Sequence, residues 1–128
     1  MLTADLAKTL TTLFSELVHG ASPDGAYILN GGDDGLLRSL DKLSARAASA
    51  LTPTGSSIAS HVEHLRYGLS LMNRWRDGEN PFADADWSTS WKKTIVSEDE
   101  WQARRAQFRT ETARWLDALR TPRDVREN

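Results

Sequence analysis

Residues 57–75 read SIASHVEHLRYGLSLMNRW, and their spacing sets the fold class. Advancing about 100° per residue from Ile58, the side chains of Val62, Leu65, Leu69 and Met72 fall within about 40° of it and form one stripe. That periodicity predicts an amphipathic α-helix of about five turns, from Ser57 to Arg76, ended by the turn residues Asp77-Gly78. Two of the chain's three histidines, His61 and His64, border this stripe one turn apart, alongside Leu71, Trp75 and Gly68. Gly68 lies four residues after His64 and costs about 1 kcal/mol of helix propensity relative to Ala. The space it leaves beside two imidazoles is what a bound ion or small ligand requires.

The flanking segments read as helices too. Thr3 can cap a helix carrying Leu6, Leu10, Leu13, Phe14, Leu17 and Val18 at helical spacing, stopped by Gly20 and Ser22-Pro23. The segment 21–35, ASPDGAYILNGGDDG, predicts a loop that packs itself down through Tyr27, Ile28 and Leu29. A second helical piece starts near Asp34, carries Leu36, Leu37, Leu40 and Leu43 on one face, and fades through SARAASAL before Pro53 and Gly55 break the chain. Residues 79–96 hold Pro81, Phe82, Trp87 and Trp91 without periodicity, a length suited to crossing a bundle. Ser97 and Glu100 make a capping box, SEDE. It opens a helix with Trp101, Phe108, Thr112, Trp115 and Leu119 on one face, closed by Thr121-Pro122 before the polar tail RDVREN. No period-two alternation occurs, so the class is all-α, in a single domain spanning residues 1–128.

Composition narrows the chemistry. With no cysteine there is no thiol nucleophile or thiolate metal site, so any metal must be held by His, Asp or Glu. The net charge of -2, with arginines interspersed among acids, offers no single-sign face to nucleic acid or to an anionic membrane. The N-terminus lacks the basic start and apolar run of a secretion signal, and no stretch is apolar enough to span a bilayer, which predicts a cytoplasmic protein. NGGDDG at 30–35 lacks the P-loop and EF-hand patterns and predicts a turn in which Asp33 or Asp34 caps the next helix. The five tryptophans either line a ligand pocket or pack the crossover onto the bundle.

For His61 and His64 two readings stand side by side. Each is a half-buried imidazole satisfied by a neighbouring helix, or an inward-facing ligand of a bundle metal site. His19 joins them only if the end of the first helix lies near the start of the histidine-bearing one. Otherwise it is a polar residue at a helix C-terminus, where a cation is favoured.

The order LRSLDKLSARAASA, a Pro/Gly break, and then Ser57, Ile58, Val62, His64 and Leu65 in the pattern S-I-x-x-x-V-x-H-L resembles the DinB and YfiT-like four-helix bundles. The likeness continues through NRWRDGENPF, the Trp-bearing crossover and SEDEWQARRAQF. It implies helices running up, down, down, up, and a divalent metal (Zn, Ni or Mn) held by three histidines, of which His64 matches one. His61 has no counterpart in that pattern. The family's other two ligands sit in an H-x-x-x-H on a fourth helix, and this sequence has no histidine after His64. The resemblance thus implies a relative of metal-dependent hydrolases or thiol transferases with an incomplete site, its fourth helix missing or supplied by another chain. Three helices built to enclose a four-helix core leave an apolar groove, which predicts a homodimer or higher oligomer. The competing class is a non-catalytic helical module acting through self-association or partner binding.

Overall fold

The computed structural model describes residues 3–121, so Pro122 and the tail RDVREN lie outside the described residues. Five helices follow in order: α1 (Thr3–His19), α2 (Gly35–Asp41), α3 (Ala45–Ala48), α4 (Ile58–Arg76) and α5 (Glu98–Arg120). Two short 3-10 turns, Pro81–Asp84 and Thr89–Trp91, punctuate the crossover, and the described residues contain no strand. Local chemistry starts the two longest helices. The Ser57 and Ser60 side chains cap each other's backbone N–H at the head of α4, and Ser97 and Glu100 do the same for α5.

The second helical piece, expected to fade through SARAASAL, is instead divided at Lys42-Leu43-Ser44 into α2 and α3. The Ser44 hydroxyl accepts from the Ala47 N–H at 3.1 Å, and the Glu98 carboxylate accepts from the Ala45 N–H at 3.0 Å. The Trp101 indole N–H donates to the Leu43 carbonyl at 2.9 Å. Partners on the first turn of α5 therefore satisfy backbone groups that a continuous helix would have paired internally, and the break costs few hydrogen bonds. Asp33, one of the two expected caps, accepts from the Gly35 N–H at 2.9 Å. Gly35 and Gly20 meet where α2 crosses the end of α1. Both have positive φ, and a Cβ on Gly35 would lie 2.3 Å from the Gly20 nitrogen.

Helix α5 is the central element. α1 and α4 each pack on it and not on one another. Arg104 donates to the Ala59 carbonyl at 2.9 Å, Asn73 to the Glu111 carbonyl at 3.1 Å, and Arg76 to the Thr121 hydroxyl at 3.0 Å. Residue numbers rise together along that contact, so α4 and α5 are parallel and need the long crossover between them. α1 runs the other way: Ala4 and Ala7 share a cleft with Leu119 and Arg120, while Val18 at its far end joins Leu37 and Leu40 of α2 in the core. Asp41, closing α2, grips Arg105 and Arg109 on the N-terminal half of α5. Trp101, Phe108, Thr112 and Leu116 of α5 are buried at the centre.

The apolar stripe expected on α4 splits in two. Val62 and Leu69 are buried, whereas Ile58 is 42% and Leu65 47% exposed. Ile58, Leu65 and Met72 form a ridge turned about 80° from the side that faces α5. α1 repeats the arrangement. Phe14 and Val18 turn to the core, and Leu6, Leu10 and Leu17 form an exposed ridge about 80° away in the same rotational sense. α5 meets α4 through Arg104 and Glu111 and meets α1 through Leu119 and Arg120, and with α1 and α4 antiparallel the helical wheel turns both ridges toward the corner between them.

Candidate functional site

The histidine-bearing side of α4 is covered by the crossover. The His64 ring stacks on Trp91, with centroids 4.3 Å apart and planes inclined 25°, and lies 5.5 Å from the Trp87 ring. His61 meets the same Trp91 edge-on at 4.9 Å, and Tyr67 meets Trp87 edge-on at 5.5 Å. Gly68 is what admits this layer. A Cβ there would lie 3.3 Å from the Trp87 ring, so the space beside the imidazoles is filled by an indole and is not an open pocket. Of the two readings of the tryptophans, Trp87 and Trp91 pack the crossover onto the bundle.

Ser90 is the hydrogen-bond partner of the His64 ring. Its buried hydroxyl donates to the Trp87 carbonyl at 2.9 Å and lies 3.0 Å from His64 Nδ1. A hydroxyl has one proton, so when that proton is on the carbonyl the ring nitrogen is the donor to Ser90. Nδ1 is thereby engaged by Ser90, and Nε2 is the ring nitrogen that Ser90 does not use. The turn carrying these residues is itself pinned by Asp86, whose carboxylate accepts from the Ser88 N–H and hydroxyl and from the Thr89 hydroxyl. Those bonds, Ser88 first, pull its pKa from 3.8 to about 2. The Tyr67 hydroxyl accepts from the Asp86 N–H at 2.9 Å, tying the same turn to α4.

His61 and His64 are brought together; His19 stands elsewhere. It ends α1, with its carbonyl bonded by Arg38, on a helix that does not pack against α4. Among the described residues no three His, Asp or Glu side chains form a group able to hold a metal ion. The donor chemistry of His64 suits a divalent ion, but the described residues do not supply a full ligand set, and no reaction step follows from them.

The loop after α1 is held by a residue with no signal in the sequence pattern. The Glu16 carboxylate accepts three consecutive backbone N–H groups, from Tyr27 at 2.8 Å, Ile28 at 2.7 Å and Leu29 at 3.1 Å. These bonds, that from Tyr27 most, lower its pKa against the opposing effect of burial. The loop was expected to pack through the apolar side chains of Tyr27, Ile28 and Leu29. Leu29 is half-buried, but Tyr27 is 78% and Ile28 53% exposed, because the backbone is what Glu16 grips and those two side chains are turned outward. Ser90 and Asn73 were equally silent in the sequence. Asn73 is buried and donates to both the backbone carbonyl and the carboxylate of Glu111.

No helix among the described residues is long and apolar enough to cross a membrane. No protein-family model, curated protein or solved structure matches the chain.

Proposed function

We propose that this chain is a cytoplasmic DinB-like bundle, related to metal-dependent hydrolases or thiol transferases, that works as a homodimer with a second copy covering the corner between α1 and α4. The observation carrying this reading is the pair of apolar ridges. Leu6, Leu10 and Leu17 on α1 and Ile58 and Leu65 on α4 are exposed, yet they line two walls of one corner, and contiguous exposed apolar walls mark association surfaces. The helix directions, up for α1 and down for α4 and α5, agree with the first three helices of the resemblance. Sedimentation velocity over a hundredfold concentration range, about 1 to 100 µM, tests it against typical subunit affinities. A dimer that dissociates on dilution, or persists throughout, supports the reading; a monomer at every concentration removes it.

A metal-binding role is the second reading, favoured by the anchoring of His64 Nδ1 on Ser90. A ring nitrogen that donates to a fixed acceptor leaves the other oriented as a ligand, as outer-shell partners do in metal sites. In this reading His64 is the first ligand, His61 the second and His19 the third in order of preference, with further donors coming from outside the described residues. A bound Zn, Ni or Mn ion would supply a nucleophilic water near neutral pH for hydrolysis or transfer. Metal analysis of protein purified without a His-tag, beside the His64→Ala variant, checks it. Stoichiometric metal lost in the variant supports the site, and a metal-free wild type leaves the association module as the function.

A further inference from the structure

We infer that the covering copy docks by its own α1, laid parallel to α1 across a two-fold axis that runs along the helices. The inference rests on the homodimer reading and specifies its seam. Leu6, Leu10, Leu13 and Leu17 are spaced 4, 3 and 4 residues apart, the heptad interval at which two helices pack in register. A two-fold contact sets each flanking charge against its own copy, so a charged flank would repel. The flanks here carry none that is free: Thr9 stands on one side, Ala7 and Phe14 on the other, and the Glu16 carboxylate is occupied by three backbone N–H groups. Asp5 and Lys8 lie more than about 100° from the seam. The hydroxyls of Thr9 and Thr12 are already bonded to the carbonyls of Asp5 and Lys8, both at 3.0 Å, so burying these side chains leaves no orphaned donor.

The corner decides the direction. A two-fold axis perpendicular to the helices would lay the partner's α5 where α4 stands. An axis parallel to them carries the partner's α5 outward and lets its α1 enter the corner, running antiparallel to α4. The same operation accounts for Tyr27 and Ile28. Glu16 holds them on the side of α1 turned about 180° from α5, and in the dimer that side faces the other copy's α4. The partner's Tyr27 and Ile28 then cover the ridge formed by Ile58, Leu65 and Met72. One symmetry operation thus buries exposed apolar groups on α1, α4 and the loop.

The chain has no cysteine, so single substitutions report geometry directly. Leu6→Cys and Leu10→Cys should each form a disulfide with its own copy under mild oxidation. Mixed Leu6→Cys and Leu17→Cys proteins should form no mutual cross-link, since those positions lie about 16 Å apart along a parallel pair. Leu10→Glu, which stays folded because its site is exposed in the monomer, should raise the dimer dissociation constant at least about tenfold, and Ile28→Glu and Leu65→Glu likewise. Cross-linking between positions 6 and 17 in the mixture, or a dimer indifferent to Leu10→Glu but broken by Leu65→Glu, overturns the parallel seam and leaves the covered corner standing. A monomer at all concentrations overturns both.

Discussion

The two ends of the molecule's apolar inventory are the N-terminal half of α5 and the corner between α1 and α4. Around Trp101 the packing is complete: the ring is fully buried, its N–H is bonded to the Leu43 carbonyl, and Arg105 lies over its face at 5.6 Å. In the corner, leucines at equally regular spacing on α1 are 38–46% exposed. Both regions come from amphipathic helices of the same kind. The contrast teaches that periodicity identifies which face of a helix is apolar, while the number of neighbours decides whether that face is covered. α5 has neighbours on several sides; α1 and α4 each lack one.

The comparison breaks first at Trp101. Trp101→Ala removes a fully buried ring and orphans the Leu43 carbonyl, and should cost about 3–5 kcal/mol in urea unfolding. A loss under about 1 kcal/mol would mean that this end is no better packed than the corner. Asn73→Ala tests the α4–α5 contact at its polar centre. Leaving Glu111 without its buried partner should cost about 1–3 kcal/mol, read from the same transition.

Acid acts on the crossover through Asp86 and on the head of α5 through Glu100, whose carboxyl is likewise held down to about 2 by Lys93 and by the Ser97 N–H. Because the Asp86 carboxyl is drawn from 3.8 down to about 2 in the folded chain, its contribution is present above the ordinary value and lost as pH falls through about 2. Tryptophan emission should therefore change between those limits. Asp86→Asn should show the altered emission already at pH 5, where the wild type does not. Gly68→Ala should have the smallest effect, within about 0.5 kcal/mol. The gain in helix propensity is offset by the push on Trp87, and near-UV circular dichroism should register the ring's displacement.

Much of this architecture is legible in the residues. The ends of α4 and α5, the stop at Gly20, the turn at Asp33 and the crossover follow from caps, glycines and periodicity, because those signals act within a few residues of chain. His61 and His64 are legible as neighbours for the same reason, since helical spacing places them one turn apart. Their surroundings are not. That Ser90 engages His64 Nδ1, that Trp87 fills the space beside Gly68, and that Glu16 grips Tyr27, Ile28 and Leu29 all depend on segments 11 to 26 residues apart meeting.

The sequence by itself determined the helical class, the main helix boundaries and which faces are apolar, because backbone propensity and capping are local. Only the tertiary structure decided that Lys42 to Ser44 breaks a helix, that the stripe on α4 divides into a covered and an open half, and that Tyr27 and Ile28 face outward. Each of those outcomes turns on whether a backbone group or apolar side chain finds its partner on another element, and such a partner exists only once the helices have packed.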